Sequence, residues 1–167
     1  MVLAVAWALD GFNSFVHLIP GITGIYEPSH NLRLITGLGM GTAMAAIVAP
    51  IFHQTIWKQY TPQQVFNHPR PYLELLLVIT LIGISAWTEN PLFLYPYALI
   101  SAAGVMVVLT MVYTMVWVMV FRQENKYQTL RDLIIPLSAG FLTALFQIGL
   151  IDYLRYQLTG TWGGFTF

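Results

Sequence analysis

Read from its first residue, the chain alternates long apolar runs with short stretches of helix breakers and polar residues. The first run extends from Met1 to about Leu18 and is closed by Pro20 and Gly21. A second covers about Leu32 to Phe52 and carries a late Pro50. The third, about Leu73 to Trp87, ends at "TENP"; the fourth lies within Leu92 to Phe121 and is expected to begin near Tyr97, after Pro96. The fifth occupies about Leu133 to Leu154. Apolar runs approaching about 20 residues predict helices that cross a bilayer, and the breakers between them mark helix ends. The pattern therefore predicts an all-α, polytopic transmembrane helical bundle of four to five spans, organised as a single domain over residues 1–167. The expected spans are 1–18, 32–52, 73–87, 97–121 and 133–154.

Composition agrees. Hydrophobic residues make up 57% of the chain and charged residues only 8%, against roughly 25% charged in a soluble domain. With a mean hydropathy of +0.67, the chain cannot cover a water-facing surface, so its expected surroundings are lipid. The formal net charge is zero, and no nucleic-acid partner is expected. The absence of cysteine excludes disulfides, thiolate catalysis, and Cys-ligated metal or iron–sulfur sites. The first run lacks a basic leader and is interrupted by Asp10, so no cleavable signal peptide is expected.

Basic residues suggest an orientation. Lys58 and Arg70 follow the second run, and Arg122, Lys126 and Arg131 follow the fourth; only Arg33 and Arg155 fall on the other side. Five against two places the loops after spans two and four in the cytoplasm, with the N-terminus inside and the C-terminus outside. The expected location is a bacterial inner membrane. Trp57, Tyr60 and Tyr72 near one face, and Trp87, Tyr95 and Tyr97 near the other, read as interfacial aromatic belts.

Helices in lipid associate through small residues that let backbones approach. Gly37 and Gly41, extended by Ala45, form such a face on the second run. Gly104 on the fourth and Gly140 with Ala144 on the fifth are candidates for the same role. The glycine string lacks the preceding strand and following lysine of a phosphate loop. Met111, Met115 and Met119 recur every fourth residue as an adaptable packing stripe.

One polar cluster stands out within this apolar background. Asp10 lies deep in the first run, with Asn13, Ser14 and His17 within two turns of it. Charged groups inside a membrane need partners, and the expected partner is Arg33, which opens the second run across a short connecting turn. Asn13 and His17 fall on the Asp10 side by i+3 and i+7 spacing. A gap in depth of roughly 10 Å must then be closed by the long arginine side chain, a tilted helix, or Asn13 acting as relay. The leading expectation is a structural clasp of Asp10, Asn13 and Arg33. Handling of a proton or substrate at Asp10 is the competing one, and a neutral Asp10 with no role is the third.

The histidines suit a haem poorly. His17 and His53 sit at opposite leaflets while His30 and His68 lie in loops, so a bis-histidine haem is not expected, although His17 alone is a candidate ligand for a chlorin magnesium. Arg70 with Glu74, and Asp152 with Arg155, are expected interfacial ion pairs by their i,i+4 and i,i+3 spacing. No metal site, nucleophile–base pair, HExxH motif or paired carboxylates are apparent, so no catalytic residues are assigned.

The stretch "LDGFNS…YEPSHNLRLITGLGMG", Leu9 to Gly41, resembles a bacterial family of integral-membrane proteins known only as a domain of unknown function. Its members carry an Asp-Gly near the end of one helix. A variable turn follows, then an Asn-x-Leu/Arg-Arg/Leu-x-Thr-Gly element that opens the next helix. The corresponding positions here are Asp10, Gly11, Asn31, Arg33, Thr36 and Gly37. The resemblance covers roughly residues 9–41 and implies that Asp10 and Arg33 form an architectural pair. It also implies a preceding Cys- and His-containing portion that this sequence lacks. The third to fifth spans extend beyond it.

Together these readings predict a non-enzymatic structural or accessory subunit of a larger membrane complex, with a photosynthetic or respiratory assembly as one setting. Its expected partners are the lipid bilayer and other membrane subunits. A small transporter or proton-coupled permease using Asp10 is the alternative, and an intramembrane enzyme or its remnant is the third.

Overall fold

The computed structural model describes residues 2–17, 23–59, 69–88 and 90–160. They form five α-helices: α1 (Val2–Val16), α2 (His30–Ile56), α3 (Pro69–Trp87), α4 (Pro91–Val120) and α5 (Ile134–Thr159). The one β pairing among the described residues is an isolated bridge between Trp57 and Tyr127. The chain is all-α.

Among the described residues, four stretches are long and apolar enough to cross a membrane: Asn31–Ile56, Pro69–Trp87, Tyr95–Val120 and Ile134–Leu158. Helix α1 is the exception. Its 15 residues rise about 22 Å, short of a hydrocarbon core of about 30 Å. Large apolar side chains such as Leu76, Leu81, Leu99 and Phe146 are more than half exposed along these helices. A surface this apolar is stable against acyl chains and unstable against water, so the protein is integrated in a membrane.

Local chemistry explains the helix ends and corrects two expected boundaries. Helix α2 starts two residues before Leu32 because Ser29 is its N-cap, accepting from the backbone N–H of Leu32 at 3.2 Å. Helix α4 starts at Pro91, not near Tyr97. Asn90 caps it, its side-chain oxygen accepting from Leu92 N at 3.0 Å. Pro91 then takes the first helical position, where a missing N–H costs nothing; Pro96 lies inside the helix. Helix α5 ends on Gly160 at φ +70°, whose N–H donates to Tyr156 O at 2.7 Å, a left-handed cap suited to glycine.

The chain forms two compact units. In the first, Met1–Ile47 with Pro62–Leu99, the buried residues among those described are polar: Asp10 and Asn13. Helix α1 meets α2 where Leu3 lies 3.1 Å from the position a Cβ would take on Gly39. Helices α3 and α4 are joined by a 2.7 Å hydrogen bond between the hydroxyls of Ser85 and Tyr97.

The second unit, Val48–Thr61 with Ile100–Phe167, has an apolar core of Phe52, Ile56, Met115, Val118, Tyr127 and Leu133. Helices α4 and α5 are knitted together by side chains. Tyr113 OH donates to Gln147 Oε1 at 2.6 Å, and Trp117 Nε1 donates to Thr143 Oγ1 at 2.9 Å. The loop after α4 closes the end of α2: Asn125 N donates to Thr55 O at 2.9 Å, Tyr127 N to Ile56 O at 3.4 Å, and Lys58 N to Tyr127 O at 3.0 Å. With its amide turned to satisfy the hydrogen-bond network, Asn125 also donates to Gln54 O at 2.7 Å and Trp57 O at 3.2 Å. These are the carbonyls that a helix C-terminus leaves without partners.

The glycine expectations divide. At Gly140 a Cβ would collide with the Thr114 hydroxyl and with the backbones of Thr110 and Thr114, so this glycine does permit the close approach of α5 to α4. At Gly37, Gly41 and Gly104 a Cβ would meet nothing within 4 Å among the described residues. Among the described residues they make no close helix contact; on α2 the close approach falls on Gly39 instead. The methionine stripe is likewise graded. Met115 is buried, Met111 packs against the core, and Met119 is 48% exposed.

The expected surface pairs form. Arg70 Nε lies 2.8 Å from Glu74 Oε1, and Arg155 Nη2 lies 3.4 Å from Asp152 Oδ1. Both are exposed, where such pairs contribute about 0–1 kcal/mol. Tyr60, His68, Pro20, Gly21 and the outer ends of the first expected span, Met1 and Leu18, lie outside the described residues, as do the side chains of Tyr72 and His30.

Candidate functional site

The polar cluster of α1 assembles with residues 24–36 into a connected site. Asp10 is 3% exposed and Asn13 is 2% exposed; their i+3 spacing puts both on the side of α1 that faces the returning chain. A buried carboxylate and a buried amide must each find partners, and both do.

Asp10 is held by hydroxyls. Tyr26 OH donates to its Oδ1 at 2.6 Å, and Thr36 Oγ1 is 3.1 Å from its Oδ2. The Thr36 hydroxyl also lies 3.0 Å from Leu32 O, so its single proton is shared between the carboxylate and its own helix. Asn13 works on the backbone. Its Oδ1 accepts from Ile25 N at 2.7 Å and, at the limit of reach, from Tyr26 N at 3.4 Å, while its Nδ2 donates to Tyr26 O at 2.9 Å. His17 Nε2 lies 2.8 Å from the same Tyr26 carbonyl. Gly24 completes the fit: a Cβ there would lie 2.5 Å from the His17 ring and 2.6 Å from Asn13 Oδ1. Residues 24–26 are thus clamped onto α1 by an amide, an imidazole and a carboxylate.

The expected clasp is corrected in one of its three members. Arg33 does not pair with Asp10: among the described residues the ion pairs are Arg70–Glu74 and Arg155–Asp152. Arg33 is exposed and its Nε donates to Ser14 Oγ at 3.2 Å. The physical reason is depth. Arg33 sits in the first turn of α2, near the polar boundary, whereas Thr36 is one turn further in and at the level of Asp10. Neutral hydroxyl donors satisfy the carboxylate there without drawing a guanidinium into an apolar setting.

His17 is engaged by the returning chain. Its Nε2 faces a carbonyl, which only accepts, so that nitrogen carries the proton and donates. In that tautomer the lone pair available to a chlorin magnesium is on Nδ1. Among the described residues, no group of three or more His, Cys, Asp or Glu side chains could hold a metal ion.

Tyr26, Thr36 and Gly24 are the residues that the reading of isolated polar positions passed over, although Thr36 lies within the family-like element. The hydrogen bond to the Asp10 carboxylate, reinforced by burial and by the carboxylate's charge, raises the Tyr26 phenol above the ordinary tyrosine range, with Arg33 acting in the opposite sense. The phenol therefore stays a donor. Every buried side-chain nitrogen and oxygen among the described residues has a hydrogen-bond partner. Chemically, the arrangement holds a chain segment in place, with each oxygen of Asp10 already accepting a hydrogen bond. Compared with known proteins, no family model, curated protein or solved structure matches this chain.

Proposed function

We propose that this chain is a non-catalytic structural or accessory subunit of a larger membrane assembly, of the photosynthetic or respiratory kind. The observation that carries the reading is the outward-facing small-residue ridge on α2. Gly37 and Gly41 stand one turn apart with nothing within 4 Å of either Cβ position among the described residues, and Ala45 continues the ridge in an exposed position. In lipid, such a ridge is where another helix approaches closely. The satisfied state of Asp10, Asn13 and His17 supports architecture over transport, because a permease needs a carboxylate free to exchange its proton or ligand.

The resemblance of residues 9–41 to the uncharacterised membrane family belongs to the same proposal. It gains support from the contact between two of its positions, Asp10 and Thr36. The proposed setting is a bacterial inner membrane, with the basic loops after α2 and α4 in the cytoplasm and the C-terminus outside. Because α1 is short, its contribution to crossing decides the side of the N-terminus; the inside location requires that α1 spans by thinning the bilayer around it.

Purification in mild detergent, followed by sizing and mass spectrometry of co-migrating chains, tests the assembly. The wild type should run with other subunits. Gly41→Leu, placed in open space among the described residues, should release it as a lone particle with unchanged helix content. A wild type that is itself lone and monodisperse overturns the proposal. Asp10→Asn separates the permease reading: it should lower the yield of folded protein, whereas a permease would keep its yield and lose flux.

A further inference from the structure

Where α4 ends and α5 begins, the second unit carries an open groove of about 240 Å³. Its walls are the apolar faces of Trp117, Phe121, Ile135 and Pro136, and Gln123 and Tyr127 form its polar end. The walls are well braced. The rings of Trp117 and Phe121 stack at 5.7 Å and 14°, the Trp117 indole is fixed on Thr143, and the Tyr127 hydroxyl donates to Gln123 Oε1. The span of α4 ends at Val120, so the groove sits at the boundary between hydrocarbon and water. Aromatic side chains favour that level.

The charge around its polar end is uneven. Arg122 immediately precedes Gln123, and Lys126 immediately precedes Tyr127. Lys126 Nζ is drawn back onto the carbonyl of Arg122 at 2.7 Å, so the ammonium is held beside the arginine's backbone. Arg131 follows in the same loop, and Lys58 joins it through its backbone bond to Tyr127. Against these four cations stand two carboxylates, Glu124 and Asp132. Exposed Asp132 is engaged by its own loop, accepting from Thr129 N at 3.1 Å, and its bonds to Thr129 hold its carboxyl below the ordinary carboxylate range.

We propose that this groove seats one acyl chain of an anionic glycerophospholipid, whose phosphate is met by Arg122 and Lys126. Three features select this occupant. The groove has apolar walls beside the end of the α4 span, its polar end lies at headgroup level, and the flanking charge complements an anionic headgroup. Interfacial basic residues of this kind favour anionic lipid. Lipid binding in the groove does not rest on the subunit reading above, so it survives if the chain proves to be solitary.

Native mass spectrometry of the full chain in mild detergent tests it. The probe is an equal mixture of phosphatidylglycerol and phosphatidylcholine with matched acyl chains. The wild type should retain phosphatidylglycerol about tenfold over phosphatidylcholine, and raised salt should erode that preference. Arg122→Asn combined with Lys126→Gln should bring the ratio to about one; Arg122 has φ +53°, a conformation that asparagine tolerates. Ile135→Trp should lower retention of both lipids by filling the groove. Ile135 is 81% exposed, so the fold does not depend on it, and circular dichroism verifies this. Equal retention of the two lipids by the wild type overturns the proposal, as does unchanged phosphatidylglycerol retention in Ile135→Trp.

Discussion

Removing the Asn13 side chain isolates the clamp that holds residues 24–26 on α1. In Asn13→Ala the Ile25 N–H loses its acceptor at 2.7 Å, and Tyr26 O loses a donor at 2.9 Å while keeping His17. The 3.4 Å contact to Tyr26 N is too long to add much. One orphaned donor, one weakened acceptor and the space vacated at a site 2% exposed come to about 2–4 kcal/mol. At 1.4 kcal/mol per tenfold, the local opening equilibrium should shift by roughly 30- to several-hundred-fold.

Hydrogen exchange in detergent micelles reads this directly, because the Ile25 amide is the group set free. Its exchange should accelerate by that factor, while amides of the α4–α5 seam in the other unit keep their rates. Asn13→Asp should be worse than alanine at neutral pH. It keeps the acceptor for Ile25 but turns a carboxylate oxygen toward Tyr26 O and adds a second negative charge three residues from Asp10. Ser14→Ala is the control, since among the described residues Ser14 Oγ accepts a 3.2 Å bond from the exposed Arg33, a contact of about 0.5 kcal/mol. If Ile25 exchange in Asn13→Ala changes by less than about threefold, the clamp is not what orders this segment.

Other outcomes follow from the same geometry. Gly140→Ala should destabilise by about 1–3 kcal/mol through overpacking against Thr110 and Thr114, whereas Gly104→Ala, in open space on α4, should stabilise by up to about 1 kcal/mol; thermal melts of the pair check the contrast. Tyr26 and Tyr127 are both raised above the ordinary tyrosine value, Tyr26 chiefly by its bond to Asp10 and Tyr127 by burial. The neutral phenols therefore belong to the folded state: their stabilisation is complete below about pH 10 and is lost as pH climbs through the raised values. Melting temperature against pH, with tyrosinate absorbance alongside, should show this alkaline loss, and Tyr26→Phe should shrink it. Because the chain has no cysteine, Glu124→Cys gives a clean topology probe; an impermeant maleimide should label it only after the membrane is breached.

The four long helices were legible because their apolar runs approach the thickness of a bilayer, a signal that needs no tertiary information. Helix ends were less so. "TENP" reads equally as the close of one helix and the cap of the next, and only the Asn90 bond to Leu92 distinguishes them. At the site, Asp10 and Asn13 were conspicuous because polar residues in an apolar helix demand partners. Which partners they take was not legible. Charge favoured Arg33, but the returning chain brings Tyr26 and Thr36 to the depth of Asp10, and depth prevailed over charge. The glycines show the same limit. The spacing of Gly37 and Gly41 marks a surface fit for close approach without saying whose backbone arrives, while Gly140 owes its role to two threonines on α4 that no local pattern connects to it.

The closure of α2 by Asn125 and Tyr127 sets an order of events during synthesis. The final carbonyls of α2 emerge from the ribosome long before the loop that satisfies them, with two further spans translated in between. Until that loop arrives, the last turn of α2 must borrow water or headgroups, which it finds only at the bilayer surface. A nascent chain halted before residue 123 would therefore carry a frayed α2, and the last helical turn of the second span would be among the latest parts of the protein to set.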